Sequence, residues 1–378
     1  MKKIYLILLL LTVSVASAQE NHRNITEATA IPVGYYNAAT GTGYTLKTQL
    51  KTIITNGHID RGYGSGSSTT NNGLWTAYGT TDRDYYYEND GTILDMYSEN
   101  PTGADPYNFS YNGNQCGTYA VEGDCYNREH IIPQSVFASA NPMHNDPHFV
   151  PATDGKVNGL RSDFPHGMVG TASSTTLNGS KLGSALNSGY SAGYAGTVFE
   201  PINAFKGDIA RMYLYFATRY ESTVAGYSYP MFNGSSNQVF TNTFLEILKH
   251  WHQDDPVSQR EIDRNNAIYT FQGNRNPYID HPEWVTTVWG APLATTSFDA
   301  LASVSVYPNP SKNHKINIQT EVILDTIQLI TVNGQIIQEI KKPVSQNNNY
   351  VIEDLPQGFY ILKLTSNNQS TIKKVIVN

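Results

Sequence analysis

A chain of 378 residues with 39% hydrophobic and 11% aromatic content exceeds one typical domain and can bury a substantial core, which excludes a disordered or low-complexity protein. Between residues 19 and 300 there are 16 Lys and Arg against 27 Asp and Glu, and beyond residue 300 there are seven against five. The larger part is therefore acidic, which excludes a broad basic face for a polyanion, so any contact with one must be local or metal-assisted.

In chain order, MKKIYLILLLLTVSVASAQE carries Lys2-Lys3, an apolar run and the small residues Ala16-Ser17-Ala18. This predicts a signal peptide over residues 1–18 and an exported product, extracellular or at the cell surface. The run is too short to span a membrane, no other stretch reaches that length, and no Cys follows the cleavage point to take a lipid anchor. Residues 44–54 have apolar positions near helical spacing and predict a helix. Residues 74–78, 82–88 and 92–98 read as strands and loops studded with aromatics, their Asp and Glu as solvated loop charges.

Cys116 and Cys125 are the two cysteines of the chain. In an exported protein two cysteines pair by default, and nothing beside either one suits a nucleophilic thiol. Such a disulfide closes a small loop just ahead of the stretch CYNREHIIPQSVF, residues 125–137. Its centre, Arg128-Glu129-His130, sets a cation, a carboxylate and an imidazole in consecutive positions before Ile131-Ile132 and Pro133, the pattern of a strand end entering a turn. Strand side chains alternate, so Glu129 and His130 can share one site only where regularity breaks. A surface charge cluster beside a buried apolar pair is the plainer alternative.

His144 and His148 have the i, i+4 spacing of a zinc helix, but Pro147 and the flanking Asn and Asp break a helix, so one of them orients a loop or packs. Residues 154–164 predict a short helix capped by Asp154, with Asn158 near its first turn. Residues 170–197 read as a peripheral Gly/Ser/Thr/Ala loop. Residues 206–220 predict an amphipathic helix with Ile209, Met212, Tyr213, Phe216 and Tyr220 on the apolar stripe and Arg211 and Arg219 off it. Thr243-x-x-Glu246 and Ser258-x-x-Glu261 read as capping boxes. Residues 274–284 read as a loop dense in groups that hold a backbone. Residues 291–303 form a linker, and residues 304–378 carry short alternating strands with a hairpin turn at Asn333-Gly334, the pattern of a small β-sandwich without a catalytic constellation.

Four stretches in order, NREHIIPQS, DGKVNGLRS, FEP with KGDIARMYLYFATRY, and DPVSQREIDRNNAIYTFQGNRNPYIDHPEW, resemble the endonuclease I family of secreted, metal-dependent, sequence-non-specific nucleases of the ββα-metal or His-Me finger group. The resemblance implies an α+β fold, with a ββα-metal core inside a mixed helical and strand domain over residues 19–290. It implies that His130 is the general base and that Glu129 and Asn158 hold one Mg²⁺, with Mn²⁺ or Ca²⁺ as substitutes. An imidazole titrating near neutrality suits proton abstraction from water, and hard oxygen ligands suit Mg²⁺. Arg128 is a candidate for binding substrate, and Arg161 and Arg211 for contacting the transition state. Structural salt bridges are the alternative part for all three, and Asn276, Asp280 and His281 are read as structural.

The expected substrate is nucleic acid, DNA or RNA, and the expected state a monomer. The tail, through VYPNP, VNGQ and LPQGFYILKL, resembles the sorting domain of the type IX secretion pathway, which implies the secretion machinery as partner. Two rival readings are a secreted adhesion or binding protein and a phosphoesterase of small nucleotides or phospholipids. The adhesion protein has no reason to hold Glu129, His130 and Asn158 together.

Overall fold

A computed structural model describes residues 31–64, 73–290, 304–366 and 369–378. The expected signal peptide and the linker over residues 291–303 lie outside them. Among the described residues no helix is long and apolar enough to cross a membrane.

The first helix, α1 (Gly43–Thr55), forms where its apolar spacing predicts and buries Leu46, Leu50 and Ile54. A second helix, α2 (Leu74–Thr81), replaces the expected strand: Leu74, Trp75, Ala77 and Tyr78 recur at helical spacing and are buried, and in so short a run aromatic strand propensity is a poor guide. The following segment is loop, and Glu88 is exposed as expected, but other acids in it are not solvated. Asp82, Asp84, Asp95 and Glu99 are each at most 4% exposed.

The centre of the larger unit is a strand–strand–helix arrangement. Strand β1 (Tyr126–Arg128) pairs antiparallel with β2 (Ala152–Asp154), Tyr126 opposite Asp154 and Arg128 opposite Ala152. Helix α3 (Gly155–Arg161) follows at once, and the Asp154 side chain caps it by accepting the Val157 amide at 2.7 Å. Residues 129–151 make the excursion between the strands. No i, i+4 histidine helix forms there: His144 lies in a single 3-10 turn, and buried His148 pairs through Nε2 with the Asn274 carbonyl at 3.2 Å.

Residues 170–197 are not a loop. Strands β3 (Val169–Thr175), β4 (Lys181–Ala185) and β5 (Thr197–Glu200) form an antiparallel sheet in that order. Most of β3 is exposed, so its small polar residues carry no apolar alternation to betray a strand.

Helix α4 (Lys206–Arg219) is buried along its whole length, not amphipathic as expected. Helices α5 (Glu221–Val224), α6 (Asn242–Asp254), α7 (Gln259–Gln272), α8 (Pro277–Asp280) and α9 (Glu283–Trp289) complete the unit. Helix α4 packs against α1, α6 and α8, and α2 lies on α7. Ser258 forms the expected capping box with Glu261, whereas Thr243 falls inside α6 and gives its hydroxyl to the Ala192 carbonyl. The segment expected to be a loop over 274–284 contains α8 and the start of α9. Asn276 caps α8, and Arg275 chelates Asp280 through Nε and Nη2, so Asn276 and Asp280 take the structural parts anticipated for them.

The C-terminal unit is built from β6 (Ser305–Tyr307), β7 (Ile316–Gln319), β8 (Thr326–Thr331), β9 (Ile336–Lys341), β10 (Asn349–Ile352), β11 (Gly358–Ser366) and β12 (Gln369–Val377). One sheet runs β10-β7-β6 and the other β12-β11-β8-β9. Ile316, Ile318, Tyr350 and Ile352 of the first sheet share a buried cluster with Leu329, Leu362, Leu364 and Val375 of the second, as in a β-sandwich. Asn333-Gly334 turns β8 into β9, with Gly334 at φ +84°. The whole is α+β, as the sequence predicts.

Candidate active site

Strand β1 ends at Arg128, so Glu129 and His130 leave the ladder just where the sequence needs regularity to break. The Glu129 amide still bonds to the Pro151 carbonyl and the Ile131 amide to the Phe149 carbonyl, at 2.9 and 3.1 Å, which holds the excursion against its own return. Arg128, Glu129, His130, Asn158 and Arg161 line one cleft of about 600 Å³ together with Tyr63, Trp75, Cys116, Asn127, Gln134 and Asp163.

Glu129 is 1% exposed. Its Oε1 accepts from Tyr97 Oη at 2.9 Å and from Arg161 Nη1 at 3.0 Å, and neither bond touches Oε2. Burial pushes this carboxyl up to about 7, while Arg161 and Tyr97 pull it down. A guanidinium cannot give up its proton, so its partner of choice is the ionised carboxylate.

The His130 ring donates through Nε2 to the His144 carbonyl at 3.2 Å, which leaves the lone pair on Nδ1. Burial lowers this imidazole to about 3, below the near-neutral value the sequence suggests, so it is neutral near pH 7 and a weaker base than a free imidazole. His144 stacks on it with centroids 5.1 Å apart, and Tyr63 stacks on His144 at 3.8 Å. Asn158 spends its Nδ2 on Asn127 Oδ1 at 2.7 Å and on the Arg128 carbonyl at 3.5 Å, which turns its Oδ1 away from both. A carboxylate oxygen and an amide oxygen, both with free lone pairs on one cleft, make a donor set that fits a hard divalent cation.

The Endonuclease I family model matches residues 42–283. The chain belongs to the endonuclease I family. It is 32% identical over 268 residues to an extracellular ribonuclease of Bacillus amyloliquefaciens, covering 68% of this chain and 78% of the relative. It is 31% identical over 264 residues to an extracellular ribonuclease of Bacillus subtilis (strain 168), with the same shares covered. Residues 305–378 match a secretion system C-terminal sorting domain. This endonuclease is thus a nuclease hydrolase, with a tail that marks it for secretion or the cell surface.

The three arginines of the endonuclease differ in what they have left to offer. Arg161 is saturated: Nε bonds to the Phe164 carbonyl, Nη1 to Glu129 and the His130 carbonyl, and Nη2 to the Ile131 carbonyl and the hydroxyls of Tyr213 and Tyr229. No N–H of its fork remains for a phosphate. Arg211 is not brought to the cleft. It chelates Glu261 through Nε and Nη2 at 2.6 and 2.8 Å, because α4 is buried all round and its charge needs a partner there. For both residues the salt-bridge alternative describes what the structure contains. Arg128 differs: its guanidinium lies over Tyr63 at 3.4 Å and Trp75 at 4.3 Å, its Nη1 donates to the Tyr63 and Gly64 carbonyls, and it lines the cleft half-buried.

The sequence reading missed Tyr63, Trp75, Tyr97, Asn127 and His144 as parts of this endonuclease site. Asn127 had a signal in its place beside Arg128-Glu129-His130, since all four line the cleft where the strand ends. Tyr63 and Tyr97 come from distant loops and had none. The disulfide Cys116–Cys125 is formed as expected, and Cys116 lies on the cleft wall.

Proposed function

We propose that this chain is a secreted endonuclease that hydrolyses phosphodiester bonds of RNA and DNA without sequence preference, with His130 as general base and one Mg²⁺ held by Glu129 and Asn158. The observation that carries this reading is the convergence of three unspent atoms on one cleft: Nδ1 of His130, Oε2 of Glu129 and Oδ1 of Asn158. His130 takes the proton of the attacking water at Nδ1, and the His144 carbonyl, already accepting Nε2–H, steadies the imidazolium that results. Glu129 and Asn158 would hold the cation through oxygen, and once bound it would supply positive charge that stabilises the negative charge developing on the phosphate. Arg128 faces the phosphate with its remaining N–H groups. Arg161 positions Glu129 and the carbonyls of His130 and Ile131, and Arg211 is structural. A local constellation of this kind suits an acidic protein, because the cation and Arg128 provide the contact that net charge does not.

The same reading takes residues 19–290 as the nuclease, 291–303 as a linker and 304–378 as the address recognised by the secretion machinery, in a monomer that has lost residues 1–18. The relatives' printed activity supports RNA as a substrate. The test is degradation of RNA and nicking of supercoiled plasmid by purified protein with and without EDTA. Both activities should disappear with EDTA, and His130→Ala should lower turnover by roughly 10²–10⁴-fold. Wild-type turnover by His130→Ala would overturn the assignment.

A further inference from the structure

Outside the cleft, Asp84, Glu88 and Glu99 each bring one carboxylate oxygen to within 4.8 Å of the others. Two of the three are not surface acids: Asp84 is 2% and Glu99 1% exposed. Both Glu99 oxygens are buried and take no hydrogen bond. A buried carboxylate without a donor is among the costliest groups a fold can carry, and the usual reasons to keep one are a proton or a cation. Burial, with Asp105, Glu88 and Asp84 adding like charge, pushes Glu99 up to about 9.

Asp84 is already fixed for a ligand's part. Its Oδ1 accepts the amides of Tyr86 and Tyr87 at 3.0 Å, and its Oδ2 the amide of Asn89 at 2.9 Å, so the turn it caps holds both oxygens in place. Glu88 is partly exposed and opens the cluster to solvent. The guanidinium of Arg260 pulls the Glu99 carboxyl down less than burial and the neighbouring acids push it up, and it is itself paired with Asp208 and lies over the Phe205 ring.

We propose that Asp84, Glu88 and Glu99 form a second divalent-cation site, structural in role and of Ca²⁺ chemistry. The donors are all oxygen, with no His or Cys, which disfavours zinc. Oxygens bound to one Ca²⁺ at ~2.4 Å lie at most about 4.8 Å apart, a limit these three oxygens satisfy, and Ca²⁺ accepts an irregular set of carboxylates, whereas Mg²⁺ demands a near-ideal octahedron and keeps several waters. The site shares no residue with the cleft, yet it stands at one end of the segment that supports it. Two residues before Glu99, Tyr97 donates to Glu129, and Asp95 accepts the Asp154 amide at 2.9 Å at the start of α3. A cation tying Glu99 to Asp84 anchors that segment to the turn over residues 84–91.

The test is equilibrium dialysis with CaCl₂ and thermal melting of the mature, full-length protein in CaCl₂ and in EDTA. Wild type should melt about 5 °C higher in saturating Ca²⁺ than in EDTA. Glu99→Gln should bind one Ca²⁺ fewer than wild type and lose most of that rise, while Asn158→Ala, which alters the cleft, should keep it. Should Glu99→Gln fail to fold, Glu88→Gln, at a partly exposed position, serves in its place, with the same loss expected. No Ca²⁺-dependent rise in wild type, or the full rise in the folded variant, overturns the proposal and leaves Glu99 holding a proton.

Discussion

Arg161 Nη1 stands 3.0 Å from Glu129 Oε1, and both side chains are 1% exposed. The arginine also ties down the carbonyls of His130 and Ile131, at 2.7 and 2.6 Å, so one guanidinium fixes three consecutive residues where β1 ends. Removing it strands a buried carboxylate. Arg161→Ala should therefore cost about 3–5 kcal/mol of stability, measured by urea unfolding. A variant with wild-type stability and only a raised KM would show instead that Arg161 meets the substrate.

Metal titration should separate the parts of His130 and Asn158. Asn158→Ala removes the oxygen left free by the bond to Asn127, and high MgCl₂ should restore part of its nicking rate. His130→Ala should stay slow at every MgCl₂ concentration. Rescue of the histidine variant alone would invert the roles.

Acid should destabilise the larger unit partly through His148. Burial lowers this imidazole from 6.5 to about 4 in the folded protein, against the pull of Asp146. Between those two values the unfolded chain binds the proton and the folded one does not. Stability is therefore full above pH 6.5 and is lost as pH falls toward 4, by on the order of 3 kcal/mol from this residue. His148→Gln keeps a donor for the Asn274 carbonyl without titrating, so its urea midpoint should fall less between pH 7 and pH 4.5.

A chain ending at Gly290 should keep full nuclease activity on purified RNA. The buried cluster of the C-terminal strands and that of the larger unit have no residue in common, and the cleft is lined wholly by residues 63–163. Loss of activity in a folded protein of this length would place part of the site in the tail.

The cleft was legible where chemistry is written in adjacent residues. The strand end near Arg128-Glu129-His130 and the Asp154 cap with Asn158 behind it follow local backbone rules, while their assignment to one site came from the resemblance to the endonuclease I family. The sandwich was legible too, because its strands alternate over a half-buried face. What escaped depends on who is near whom. Residues 170–197 hid a sheet because an exposed strand of Ser, Thr and Gly has no apolar period. Asp84 and Asp95 passed for solvated acids because a short window does not show burial. Arg211 and Arg161 had the right charge for a phosphate, and only their partners Glu261 and Glu129 reveal that it is already spent.

Helix α4 presents no residue to solvent and has α1, α6 and α8 packed against it. Its amide protons can meet heavy water only when those neighbours move away together, so no small local opening exposes them. The free energy that governs their exchange should equal that of unfolding the whole nuclease unit, whereas the exposed edge strand β3 should exchange through cheaper fluctuations. Mass-resolved deuterium uptake would therefore read global stability from the peptide over residues 206–219, in native buffer and without denaturant.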